Sequence, residues 1–245
     1  MEFTLDKFNG IIIDPATAPH DAASFNAELS EITQFSKQNN KGIIWISLPI
    51  SLSHLIPVAT ELGFVFHNCL EDEITLIHKS EMVEFVPFIP THTLGAGALI
   101  TNEQNQVLMI KEHGMTGYKL PGGHIELGEG IEESVVRETL EETGIEATFV
   151  SVVGMATRHP YQFGKSNLYF ICHLIAQTQE IAIQDTDEIA EAKWIDVEEY
   201  INNPDSYPFN RQLVGSLIGK QGLELTQLEG NYGPVHKPEI FFSQS

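Results

Sequence analysis

The run GHIELGEGIEESVVRETLEETGI, Gly123 to Ile145, restricts this chain's fold more than any other stretch, because it sets a carboxylate-rich helix between glycine stops. Pro121, Gly122 and Gly123 interrupt regular structure and predict a tight turn in which the backbone comes close to a ligand. A helix is expected from about Gly130 to Thr143, with Gly144 as its C-terminal stop. At roughly 100° per residue, Glu138, Glu141 and Glu142 fall within an arc of about 100°, while Val135, Val136, Thr139 and Leu140 centre on another face. The helix therefore has a core side and an acid side.

The acid side is unfavourable on its own. Glu141 and Glu142 stand in the last turn, where the helix macrodipole is negative and cations are preferred. Two carboxylates about 6 Å apart repel by roughly 3 kcal/mol at an effective dielectric of about 20. A bound cation would reverse the sign of that interaction, and a solvated acidic face is the alternative.

A family pattern bears on the choice. The run fits the pattern G-x5-E-x7-R-E-U-x-E-E-x-G-U, with U a bulky aliphatic residue, through Gly123, Glu129, Arg137, Glu138, Glu141, Glu142, Gly144 and Ile145. In this it resembles the box of the Nudix hydrolases. Thr139 departs from the pattern at the first U position, on the core side of the helix, where its effect is on packing. The resemblance implies that Glu138, Glu141, Glu142 and the carbonyl of Gly122 hold a divalent cation, magnesium with manganese as a substitute. It also implies that Glu138 is a ligand or general base, that Arg137 orients the box glutamates, and that Glu129 supports the loop or a second metal. Hard oxygen donors suit magnesium, which keeps several waters and shares its shell with substrate phosphates.

Length and composition bound the rest. At 245 residues and 42% hydrophobic content the chain can build two small domains, expected at residues 1–90 and 91–245. A formal charge of −21, with 34 acidic residues against 13 Lys and Arg, argues against a nucleic-acid surface. Phosphate binding then needs metal and a few placed cations. Cys69 and Cys172 lie far apart among apolar neighbours, so buried thiols are expected, with neither a disulfide framework nor a zinc site. MEFTLDKFNG lacks the features of a secretory leader, and no stretch has the length to span a bilayer. The expectation is a cytoplasmic protein.

Along the chain, Gly10 to Asp14, Gly42 to Leu48, Phe64 to His67 and Glu73 to His78 read as strands. Phe25 to Gln38 reads as a helix, as does the stretch through Leu55, Ile56 and Ala59 that ends at Gly63. Pro87 and Pro90 bracket a linker. Leu94 to Thr101 and Gln106 to Lys111 are expected to form a hairpin. Strands over Ala147 to Met155, Leu168 to Ala176 and Glu191 to Ile195 follow the box, then a helix from Val197 to Asn202. This order suits an α/β class: a Nudix α/β/α sandwich preceded by a small α/β domain resembling part of an acetyltransferase fold.

RHPYQFGKSNLYFICHL, Arg158 to Leu174, and the stretch GIIWISLPISLSHLIPVATELGFVFHN resemble a Nudix branch of the antisense fibroblast growth factor type and of plant ADP-ribose/NADH pyrophosphatases. The resemblance implies cleavage of the diphosphate of a nucleotide-derived small molecule, ADP-ribose or NADH favoured. A nucleotide sensor without turnover is the alternative, and a homodimer is among the expected assemblies. Arg158, Lys165 and Ser166 are the candidate substrate-binding residues, although Arg158 and Lys165 read equally well as surface ion-pair partners. Glu188 is the candidate additional catalytic acid or base in the loop DTDEIAEAKW, and Glu191 is its alternative. His113, His124 and His159 are candidates to approach the ligand, with simple polar neighbours the commoner reading of lone histidines. Pro160 and Tyr161 match the markers of two different substrate groups, so neither discriminates.

Overall fold

Alternating isoleucines organise the first part of the chain. A computed structural model describes residues 1–7, 9–80, 86, 89–227 and 238–243, so Pro87, one end of the expected linker, lies outside the described residues. The chain divides into two compact units, Met1–Pro90 and Thr91–Ser245. The first runs β1 (Phe3–Leu5), β2 (Ile11–Ile13), α1 (Ala22–Gln38), β3 (Ile43–Pro49), a 3-10 turn, α2 (Ile56–Glu61), β4 (Val65–Cys69) and β5 (Glu73–Lys79). Its sheet has the order β1-β2-β3-β5-β4, with β2 and β3 parallel and the other neighbours antiparallel. Ile11, Ile13, Ile44, Ile46 and Leu48 point to one side and pack on Phe25, Leu29 and Ile32 of α1. α1 starts before Phe25 because the Asp21 carboxylate accepts from the Ser24 amide at 2.9 Å, an N-cap that the hydrophobic spacing does not register.

The second unit contains β6 (His92–Ile100), β7 (Gln106–Glu112), α3 (Ile131–Thr143), β8 (Ala147–Arg158), β9 (Ser166–Ala176), β10 (Ile189–Asp196), α4 (Val197–Asn202), α5 (Pro208–Leu217), β11 (Leu223–Leu225) and β12 (Phe241–Phe242). One sheet has the order β12-β11-β8-β9-β6, and β7 pairs with β10 in a second. The expected hairpin of β6 with β7 is therefore corrected. The two strands meet through a bridge between Thr101 and Val107 and then part, β6 running parallel to β9 and β7 antiparallel to β10. The physical reason is competition for an edge: the amides of Ala96 and Ala98 on β6 donate to the carbonyls of Gly123 and Pro121 at 3.0 and 2.8 Å.

The pleat distributes the strands' side chains into two cores. Ala96, Ala98 and Ile100 of β6 and Leu108 of β7 join Val135 of α3 and Ile145. Leu99, Val107 and Met109 face the opposite way and join Tyr200 of α4 and Val214 of α5. Helices on both faces of the strands give the α/β/α layering, with α3 on one side and α4 and α5 on the other. Cys172 is buried in the first of these cores, whereas Cys69 is exposed, contrary to the expected buried thiol, because it ends the edge strand β4 of the other unit.

Candidate active site

The segment from Pro121 to Ile125 is extended along β6, in place of the expected tight turn. Gly122 has φ +137°, and a Cβ there would collide with the Ala96 carbonyl oxygen, so glycine is required for this approach. A Cβ on Gly123 would stand 2.7 Å from Oε1 of Glu138. Both glycines thus leave room for contacts that side chains would block, one with β6 and one with α3.

α3 follows Gly130, an N-cap residue whose lack of a side chain leaves the first amides without a local cap. The Glu239 carboxylate fills that role from far along the chain, accepting from the Ile131 amide at 2.6 Å and the Glu132 amide at 3.1 Å. At the other end Gly144 adopts φ +73° and its amide donates to the Leu140 carbonyl at 2.8 Å. Thr139, the departure from the sequence pattern, is fully buried and its hydroxyl donates to the Val135 carbonyl at 2.7 Å, so the polar substitution is satisfied within the helix.

The acid side of α3 is not one solvated face. Glu142 is 3% exposed, and its Oε2 accepts from the Gly122 amide at 2.6 Å. Burial pushes its carboxyl up to about 8, against the opposing pull of the Gly122 amide and of Lys119. Glu138 is also raised by burial, with Arg137 partly offsetting the effect. Glu141 remains half exposed.

Arg137 joins the acids into one network. Its Nε and Nη2 donate to the two oxygens of Glu129 at 2.7 and 3.0 Å, and Nη1 donates to Glu138 Oε1 at 3.1 Å and Glu141 Oε2 at 3.0 Å. The bidentate grip holds the Glu129 carboxyl at about 2. One guanidinium therefore fixes the rotamers of three carboxylates.

A cavity of about 690 Å³ opens beside these residues, and Gly122, Gly123, Arg158 and Glu188 among the sequence candidates line it. Glu188 adds its charge to the environments of both Glu138 and Glu142. Glu191 is directed to Lys111 at 2.8 Å and Lys193 at 3.6 Å, and of the two loop glutamates only Glu188 is among the residues lining the cavity. His124 lines the cavity as well, whereas His113 reaches the Thr186 carbonyl at 3.2 Å and His159 contacts the Ser166 hydroxyl at 2.7 Å. Lys165 and Ser166, at the start of β9, are not among the lining residues.

Sequence reasoning missed Lys119, Glu112, Tyr169, Tyr207 and Phe209, all of which line the cavity. Lys119 forms an ion pair with Glu112, and a bridge between Lys119 and Ile110 holds its segment against β7. A signal was available for this one: a lysine two residues before Pro121 in a cation-poor chain. Tyr169 lies over Gly97, where a Cβ would collide with its hydroxyl, and burial raises its phenol above the ordinary range.

The donors suit a hard divalent cation. Glu142 is a buried carboxyl whose ionisation burial opposes, and Glu138, Glu141 and the Gly122 backbone lie around the same loop–helix junction. Among the described residues no three His, Cys, Asp or Glu side chains are gathered tightly enough to enclose an ion. Magnesium does not need such a cage, because it retains several waters and takes one or two carboxylates together with substrate oxygens.

Comparison with known proteins covers both units. A NUDIX domain model matches residues 91–216, and a Nudix hydrolase domain model matches residues 1–79. The chain is similar to Nudix hydrolase 2 of Arabidopsis thaliana, 35% identical over 208 residues that span 81% of this chain and 73% of that protein. Nudix hydrolase 8 of the same plant is 32% identical across 81% of this chain and 56% of its own length. The Homo sapiens nucleoside diphosphate-linked moiety X motif 6 protein is 30% identical across 87% of this chain and 71% of its own length. Among solved structures, a MutT NUDIX hydrolase from Burkholderia pseudomallei aligns with 52% of this chain and 98% of its own, at 20% identity and a TM-score of 0.44.

Proposed function

From the premise that the chain belongs to the Nudix hydrolase family, we propose that it hydrolyses the diphosphate linkage of a nucleoside diphosphate joined to a second group. ADP-ribose and NADH are the favoured substrates, yielding AMP and a phosphorylated product. The observation that carries this reading is the position of the box: the loop tied to Glu142 and crowded by Glu138 forms one wall of the cavity.

In this reading Gly122, Glu138, Glu141 and Glu142 would hold magnesium, or manganese in its place, whose chemistry is to neutralise charge on the phosphate oxygens. Arg137 keeps Glu138 and Glu141 in the rotamers needed for that role. Glu188, on the cavity wall, or Glu138, beside Gly123, accepts the proton of the attacking water. Lys119 and Arg158 supply positive charge within an otherwise acidic cavity, and the walls align the substrate for in-line attack. Catalysis is assigned to the Thr91–Ser245 unit, which contains the box and the cavity. Among the described residues no helix is long and apolar enough to cross a membrane. We place the activity in the cytoplasm, where the exposed thiol of Cys69 would stay reduced.

The experiment is a ranking of initial rates with magnesium on ADP-ribose, NADH, diadenosine polyphosphates, coenzyme A and oxidised nucleotides. AMP release from ADP-ribose or NADH at the highest rate is the expected result. Absence of turnover on every compound, or full activity of both Glu141→Gln and Glu142→Gln, overturns the reading.

A further inference from the structure

The two cations of the cavity stand in different surroundings. Lys119 is paired with Glu112 and acts on Glu142, which puts it on the acid side. Arg158 has its guanidinium carbon 5.5 Å from the centroid of the Phe209 ring.

Phe209 is an unfinished part of a packed stripe. It precedes Leu213 and Leu217 at helical spacings of four and eight along α5, and both leucines pack into the core with Val214 and Tyr200. Phe209 lies on the same stripe but is 49% exposed on the cavity wall. Tyr207, the residue before α5, is 52% exposed and lines the same wall. Pro208 separates the two at the first helical position, where its fixed φ sets the direction of the helix start. Asn210 follows on the cavity wall and brings an amide that can both donate and accept.

Apolar π-faces beside a guanidinium suit a flat ring better than a phosphate, whose charge the aromatic faces do not match. We propose that Tyr207, Phe209 and Arg158 form the slot for the heteroaromatic base of the substrate, with Asn210 facing the base edge and Lys119 left to the phosphates. The inference deepens the hydrolase reading and rests on it for the nature of the substrate. Adenine and nicotinamide share the required chemistry, a planar nitrogen heterocycle on a ribose phosphate.

Calorimetric binding in the presence of EDTA tests the slot without turnover, using AMP, nicotinamide mononucleotide and ribose 5-phosphate as probes. At least one nucleotide should bind tighter than ribose 5-phosphate, and the one preferred identifies the base. Phe209→Ala should weaken that nucleotide by about ten- to a hundredfold and leave ribose 5-phosphate unchanged. Phe209→Leu keeps an apolar side chain on that face of α5 and should show the same loss should the alanine variant fail to fold, whereas Phe209→Trp should restore binding. Equal affinity for all three probes, or unchanged nucleotide binding in Phe209→Leu, overturns the slot. A protein without turnover whose AMP affinity falls with Phe209 retains the slot and loses the hydrolase reading.

Discussion

The Gly122 amide donates to Glu142 Oε2 across 2.6 Å, tying the strand-like loop before α3 to the last turn of that helix. The contact holds a carboxyl that is 3% exposed and whose ionisation burial opposes. Glu142→Gln keeps an oxygen for the amide and removes the group that ionises to meet a cation. Without divalent cations its melting temperature should equal or exceed that of the parent protein. Turnover should fall by at least about a hundredfold. Added magnesium should raise the melting temperature of the parent more than that of the variant, which thermal scans with and without the salt will show.

Arg137 links Glu129 to the box, and that link is pH-dependent. Glu129 titrates at about 2 in the folded protein against an ordinary 4.5, so its stabilising contribution is present above about 4.5 and lost as the pH falls through 2. Replacing Arg137 by Met should therefore lower stability most above about pH 5, with the gap to the parent closing as the pH falls towards 2, as read by urea denaturation at a series of pH values. Arg137→Lys, which retains charge but not the fork, should lose about ten- to a hundredfold in kcat while staying folded.

Lys119 and Glu112 should have opposite kinetic effects. Their ion pair holds the ammonium inside the cavity while occupying it. Lys119→Met should raise KM by about tenfold, the loss of one charge-assisted contact to phosphate. Glu112→Gln releases the lysine and should lower KM. Steady-state kinetics on ADP-ribose distinguish this from a purely structural pair, for which both variants would change stability in the same direction and KM little.

Helix propensity placed the start of α3 within a residue and Gly144 placed its end at Thr143, because both signals are local. Pairing partners are not local. Nothing within Leu94 to Lys111 states that Pro121 to Gly123 will occupy the edge of β6, so the hairpin reading there failed. The angular position of Glu142 put it with Glu138 and Glu141, yet its burial depends on the loop that lies over it. Phe209 and Tyr207 line the cavity beside a core in which α4 and α5 pack with residues of β6, β7, β9 and β10, a placement visible only after the strands are ordered. Arg158 was identified from its charge, but its aromatic neighbour lies 51 residues away.

Glu239 contributes through the two amides it accepts from at the start of α3. Glu239→Ala should cost about 1 kcal/mol, the usual value of a lost helix cap, and Glu239→Gln less. Denaturation midpoints measure both. An alanine variant as stable as the parent would show the contact to be without energetic weight.

The distance in sequence between that carboxylate and its helix has a further consequence during synthesis. Glu239 lies 108 positions beyond Ile131. At about 5–20 residues per second, a ribosome makes the helix roughly 5 to 20 s before it makes the cap. For that interval the first amides of α3 have no Glu239 carboxylate to accept from them, with every box carboxylate already in the chain. A polypeptide released early would carry the complete acidic motif and still lack the residue that finishes its helix.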